Sequence, residues 1–276
     1  MYEEIFRNKQ QELEGSIRIS PSQVYKFFDK TYEWYREQVL KEEQAFKGNQ
    51  SSFTGTLLHG YLEVLVKEGE VNYEKLVEMF LKTIPSDLDI DTEKLVSDVS
   101  IMKDTLVQYL VNKGILKHEL KSEFELQYKL NDKAMLAGTI DLYDATTKTL
   151  IDLKTTAPTS SIKDTIPRNY WFQLMSYWYL LNKNGYEVDK LQLLFVSRPE
   201  LNRKGKNGNK LKDYPTLVKA VNMIPTSEDV DMITGIIELI GESVEAFLTK
   251  PELRHIIAQD IRLKIKQPKQ SRFRRT

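Results

Sequence analysis

The chain has no cysteine in its 276 residues. Without a thiol there is no disulfide framework, no thiolate zinc site and no cysteine-held iron–sulfur cluster, so any metal must be held by oxygen and imidazole. Imidazole is itself scarce, with three histidines in all. Long hydrophobic runs are missing too: no stretch approaches the roughly eighteen apolar residues of a membrane span. The opening MYEEIFRNKQQELEG lacks the cationic start and apolar run of a secretory leader. These absences lead to the expectation of a soluble, cytoplasmic protein with no membrane partner. No G-x-x-x-x-G-K-[ST] phosphate loop occurs, which argues against ATP as a cofactor, and the partial match GKNGNK reads better as a flexible basic loop.

Net charge is absent as well, with 40 acidic side chains against 40 basic ones. The balance conceals a dipole. Residues 1–150 carry 26 acidic and 19 basic groups and residues 151–276 carry 14 and 21, so the halves stand at −7 and +7. The positive surplus lies in RKGKNGNKLK (Arg203 to Lys212) and in the tail after Asp260, which has seven Lys or Arg and no acid. Such asymmetry fits a polyanion partner, and a basic tail kept for solubility is the other reading. With 41% hydrophobic and 29% charged residues, the composition is that of a folded chain long enough for a substantial core.

The pattern along the chain predicts an α/β fold: a central mixed β-sheet with an antiparallel meander, flanked by helices and preceded by a helical amino-terminal portion. Ser20-Pro21-Ser22 is a helix-start signal, and Val24, Phe27, Phe28, Tyr32 and Tyr35 recur at helical spacing after it. Helices are expected near 55–67, 73–83 and 91–113. From Glu119 the chain changes character to EFELQYKL, a turn at Asn131-Asp132, AMLAGTIDLYD, a turn at Thr146-Thr147, and TLIDLKTT, which read as three strands. A helix over 169–181, the strand LQLLFVSR, a short strand near 217–221 and a helix over 226–249 complete the order. With no repeat and no linker, we expect a single domain over 1–276: a helical part to 115, an α/β core over 116–225, and a final helix with a basic tail.

The chemistry concentrates in GTIDLYDATTKTLIDLKTT. If Thr146 and Thr147 form a two-residue loop, Asp141 lies directly opposite Asp152, and like charges in that position destabilise a hairpin. Alternation puts Ile140 and Leu142 on one face with Asp141 on the other, and sets Ile151 and Leu153 against Asp152 and Lys154. Two readings remain at this point: an ordinary surface hairpin with its charged face in water, or a pair of carboxylates holding Mg²⁺ or Mn²⁺ beside a lysine that orients water or stabilises developing charge. In NYWFQLMSYWYLL, Gln173 and Tyr177 share one helix face. Upstream, His59 and Glu63 lie one turn apart on a helix with an apolar opposite face, a position that a structural histidine would also suit.

Taken in order, ISPSQVYKFF, GTLLHGYLE, GTID, IDLKTT and QLMSY resemble the motif series of the RecB-like exonuclease branch of the PD-(D/E)XK nuclease superfamily, over roughly residues 17–200. The resemblance implies a restriction-endonuclease-like core. It implies His59, Asp141, Asp152 and the Leu153 carbonyl as ligands of one or two Mg²⁺ or Mn²⁺ ions, with Asp141, Asp152 and Lys154 catalytic. Gln173 and Tyr177 correspond to the motif that contacts substrate or supports the site, and Glu63 and Glu125 are further candidates near it. Aspartate at 152 replaces the commoner glutamate, and the absence of cysteine excludes the iron–sulfur staple of some relatives.

The activity so implied is hydrolysis of DNA phosphodiester bonds by an exonuclease in recombination or repair. A phage-type enzyme of this kind works in the bacterial host cytoplasm, beside a single-strand annealing protein and as a homo-oligomeric ring. Lys163, Arg168, Arg198, Arg203, Lys204, Lys206 and Lys210 are candidates for phosphate contacts. The alternative is a non-catalytic DNA-binding or assembly module on the same fold.

Overall fold

The computed structural model describes residues 2–6, 16–41, 48–205, 207–250 and 252–253. Lys206 and the basic tail after Asp260 lie outside the described residues.

Six helices form before most of the sheet: α1 (Tyr2–Ile5), α2 (Pro21–Asp29), α3 (Thr31–Gln38), α4 (Gln50–Glu68), α5 (Tyr73–Leu81) and α6 (Thr92–Asn112). Their starts have clear causes. Asn49 and Ser52 form a capping box on α4, while Asn72 and Asp91 accept the N–H groups of Lys75 and Lys94 on α5 and α6. Ser20 precedes Pro21 of α2, but its hydroxyl pairs with that of Ser22 at 3.0 Å rather than capping the helix. The aromatic stripe expected on one helix is split between two, because Lys30 (φ −144°, ψ 57°) leaves the helical region between Phe28 and Tyr32. Among the described residues, no helix is long and apolar enough to cross a membrane.

The strands are β1 (Ile17–Ile19), β2 (Leu120–Lys129), β3 (Ala134–Asp144), β4 (Thr149–Thr156), β5 (Lys190–Ser197) and β6 (Val218–Met223). Helix α7 (Arg168–Lys183) joins β4 to β5, which run parallel, and α8 (Ser227–Thr249) follows β6. The meander β2–β3–β4 is antiparallel, β6 is antiparallel to β5, and β1 adds parallel to β3, giving the mixed sheet the sequence predicts. Strand β1 was not foreseen; three residues are too few for an alternation to register.

Both faces of the sheet are covered. One core joins Ile19, Val24, Trp34, Ile140, Leu150 and Leu193 to α7 and α8, and the other joins Leu142, Ile151, Leu153 and Val196 to α4, α5 and α6. The reading of an ordinary surface hairpin with its charged face in water therefore fails, and Asp152 is only 2% exposed. Ile140 and Leu142 do not share a face as the alternation had them, since they pack into opposite cores. The alternation resets at Asp141. Strand β2 resets at the same level, where Glu123 takes the left-handed conformation at φ +47° between the pairs Ser122–Leu142 and Phe124–Ile140.

The β3–β4 register is as expected, with Leu142 opposite Ile151 and Tyr143 opposite Leu150, although the loop has four residues, Ala145 to Lys148, instead of two. Asp144 fixes that loop by accepting the Thr147 N–H at 3.1 Å, the Thr147 hydroxyl at 2.7 Å and His118 Nδ1 at 2.7 Å. Burial pushes its carboxyl up, but the hydrogen bonds from Thr147 and His118 prevail and hold it below the usual carboxylate range.

One edge of β3 is shared. Residues 134–136 pair there with β1 and 142–144 with β4, while β2 runs along the whole of the other edge. Into the space between them come α2 and α7: a Cβ on Gly138 would lie 2.8 Å from Pro21 Cδ and 2.9 Å from Tyr177 Cε1. Gly138→Ala should therefore displace one helix or the other and destabilise the fold by about 1–3 kcal/mol, measurable by urea denaturation. A stability equal to that of the parent would mean that the helices do not close on the strand.

Candidate metal and active site

Past Leu142 and Ile151 the paired ladder between β3 and β4 stops, and β4 continues beside β5 as far as Thr156. A side chain takes over from the backbone at the point of separation. Asp141 Oδ2 accepts the Leu153 N–H at 2.8 Å, so the carboxylate bridges the opening between the strands. The site is built inside this fork.

Helix α4 brings His59 to it. Its Nδ1 lies 3.2 Å from Glu123 Oε1 and 3.5 Å from Asp141 Oδ1, and its Nε2 lies 3.1 Å from the Leu153 carbonyl oxygen. One ligand atom each from His59, Glu123 and Asp141 fall within 4.8 Å of one another. On the α7 side, Asp152 Oδ1 accepts from Lys154 Nζ at 3.1 Å and from Gln173 Nε2 at 3.4 Å. Asp152 Oδ2 is 2.8 Å from the same ammonium, yet it is buried and accepts no aligned hydrogen bond. Lys154 also lies 5.5 Å from the centre of the Tyr170 ring. Gln173, which reaches Asp152, also hydrogen-bonds Tyr177 one turn further along α7.

Crowding of charge in a dry place shows in the titration of these groups. Burial raises Asp152 to about 6, with Lys154 opposing the shift and Asp141 adding to it. Burial also raises Asp141, against the pull of His59 and Lys154. For His59, burial works against the charged ring, but Asp141 and Glu123 outweigh it and lift the imidazole to about 9. Lys154 is likewise raised: burial opposes its charge, and Asp152 and Asp141 more than restore it. Burial lifts Tyr177 well above the ordinary phenol range, so it is a neutral hydroxyl.

A cleft of about 400 Å³ leads to these groups, lined by Ser52, Thr56, His59, Glu63, Glu123 and Asp141, with Phe6 against Gly60 on its flank. The fork thus gathers His59, Asp141, Asp152, the Leu153 carbonyl, Lys154, Gln173 and Tyr177. Glu63 stands on the cleft wall one turn after His59 and is paired with Lys67. Glu125 is elsewhere: it is level with Thr139, two residues from Glu123, and pairs with Arg18 at 2.9 Å.

Glu123 is the site residue that the sequence did not yield. A turn confined to Asn131 and Asp132 sets Glu123 against Ile140; the loop also takes in Lys133, since Leu130 pairs with Ala134, and this brings Glu123 level with Asp141. Of the basic candidates, Arg198 follows β5 with its N–H on Thr156 at the end of β4, and Arg168 opens α7. Arg203 and Lys210 lie on the loop beyond, beside Glu200 and Asp213.

The model of the PD-(D/E)XK nuclease superfamily matches residues 18–268. The chain belongs to that superfamily. No sequence among the curated proteins matches it. In fold it is similar to a candidate exonuclease from Eubacterium rectale, with a TM-score of 0.53 and 11% identity over 86% of each chain. A phage-related exonuclease from Haemophilus somnus gives 0.47 and 14% identity, over 85% of this chain and 96% of that one. PD-(D/E)XK nucleases use divalent metals.

The residues present fit such an ion. Carboxylate and carbonyl oxygens with one imidazole are the donors a hard divalent cation takes, and the His59, Glu123 and Asp141 ligand atoms already lie within one another's reach. Saturating Mn²⁺ should raise the melting temperature, since a ligand at a hundred times its Kd contributes about 2.7 kcal/mol. Glu123→Gln should remove most of that rise and Glu125→Gln should leave it intact. Equal responses from the two variants would remove Glu123 from the ligand set.

Proposed function

We propose that this nuclease is a divalent-metal-dependent exodeoxyribonuclease that shortens DNA from its ends. The observation that carries the reading is the fork itself: a buried aspartate, Asp152, paired with Lys154 beside the half-buried His59–Glu123–Asp141 cluster. His59, Glu123, Asp141, Asp152 and the Leu153 carbonyl would hold the ion. When bound, it supplies Lewis acidity toward a phosphodiester and lowers the pKa of a coordinated water.

The chain's own groups have separable tasks. Asp141 ties the strands together through the Leu153 N–H while presenting its other oxygen to His59. Lys154 stays charged at the working pH, and its Nζ is placed to orient a water or to offset charge developing on phosphate oxygens. Gln173 holds Asp152 from the other side, with Tyr177 one turn further along α7. Exonucleolytic action is favoured by the order of the five motifs and by the fold shared with the E. rectale protein along most of both chains. A role in recombination or repair, a ring of identical subunits and a single-strand annealing partner belong to the same reading. The rival is a DNA-binding module that has lost catalysis; retention of every ionisable group in the fork disfavours it.

Linear duplex DNA labelled separately at each end tests this directly. With Mg²⁺ or Mn²⁺ the label should be released as small products, EDTA should stop the release, and closed circular DNA should survive. Asp152→Ala and Lys154→Ala should each lower the rate by about a hundredfold or more while the fold is kept. Binding without degradation under every divalent cation would establish the rival instead.

A further inference from the structure

A second concavity of about 320 Å³ opens at the other end of the sheet, beside the β3–β4 turn. Its floor is the face of β4, β5 and β6 that carries the α6 core. On β5 this face presents Val196 and Leu194 to the core, and the next position in the same alternation is Gln192. Gln192 is level with Ile151 on β4 and Asn222 on β6, and is 7% exposed. A buried amide here interrupts an apolar row. Its Nε2 donates to Asn222 Oδ1 at 2.7 Å, and its Oε1 is buried with no hydrogen-bond partner. A buried acceptor left in that state is destabilising, and a ligand donating to it would recover the loss.

The chemistry around the amide is specific. Once Gln192 and Asn222 have bonded to each other, the carbonyl of one and the NH2 of the other are left over, and reversing both amides only exchanges which residue supplies which. An adjacent donor and acceptor on flat apolar ground is the complement of a nucleobase edge. Ile115, Ile151 and Ala220 supply the apolar walls, Tyr109 an aromatic one, and Lys113 and Lys190 cations suited to a phosphate. Asp144, also in the wall, has its oxygens engaged by Thr147 and His118. The volume is at the lower end of the roughly 300–1,000 Å³ of small-molecule pockets, and much larger than a single water needs.

We infer that this concavity is a nucleotide site separate from the fork, taking a nucleoside 5′-monophosphate with its base on the Gln192–Asn222 pair and its phosphate toward Lys113 and Lys190. The nucleotide is either free or the end of a strand; the recognition chemistry is the same.

Calorimetric titration of the full chain in EDTA with each of the four deoxynucleoside 5′-monophosphates keeps metal chemistry in the fork out of the measurement. At least one should bind with a Kd below about 1 mM. Gln192→Leu, which continues the row of Leu194 and Val196, should weaken binding tenfold or more. Asn222→Ala, on an exposed residue, should also weaken it and decides the matter if Gln192→Leu fails to fold. The nucleoside without its phosphate should bind more weakly. A short oligonucleotide that competes better than the monophosphate assigns the site to strand ends, and one that competes worse assigns it to free nucleotide. The inference is overturned if none of the four binds, as when a structural water alone satisfies Gln192, or if both variants bind as the parent does.

Discussion

The hydrogen bond from the Leu153 N–H to the Asp141 carboxylate is the contact around which the rest is arranged. Two antiparallel strands that stay paired leave no room for a ligand between them, and two that separate leave backbone groups without partners. Here separation begins after Leu142 and Ile151, and one orphaned N–H is satisfied by the carboxylate of the opposite strand. The same opening lets His59 reach the Leu153 carbonyl. A chemically active carboxylate is therefore also part of the frame, which couples the position of the site to the stability of the sheet.

Burial then gives the fork its electrostatic character. Three carboxylates, an imidazole and an ammonium are crowded together between two apolar cores, Asp152 buried and the others half-buried at the cleft, where unpaired charge is costly. In the protein alone the compensation comes from protons and internal pairs: His59 charged between Asp141 and Glu123, and Lys154 on Asp152. That arrangement leaves one oxygen of Asp152 against the Lys154 ammonium without an aligned hydrogen bond. The second concavity repeats the pattern with neutral groups, a buried amide oxygen unpaired where the apolar row of β5 would continue.

How much of this was legible in the sequence depended on whether local pattern or register decided the matter. Strands β3 and β4 were found at their full lengths, because AMLAGTIDLYD and TLIDLKTT are apolar, β-branched and bracketed by polar turns. Asp141 and Asp152 were brought together by the hairpin register, which survived the change from a two-residue to a four-residue loop because both are centred on the same point, although the ladder stops one pair short of setting them opposite each other. Glu123 had no such protection. A single extra residue in the β2–β3 loop shifts every pairing by one, and the left-handed φ of Glu123 has no marker in its residue type, since glutamate rarely adopts it. The burial of both sheet faces was also concealed, because the reset at Asp141 sends Ile140 and Leu142 to opposite cores although the sequence alternates without a break.

The central claim is that the fork between β3 and β4 is a metal site whose ligands come from α4, β2, β3 and β4 together. Diffraction from crystals soaked in Mn²⁺, with an anomalous difference map calculated at a wavelength where manganese scatters anomalously, tests it most directly. The account predicts the strongest peak inside the fork, in contact with Asp141 and with His59, Glu123 or Asp152. A fork without a peak, in crystals where Mn²⁺ is ordered elsewhere on the molecule, would contradict it.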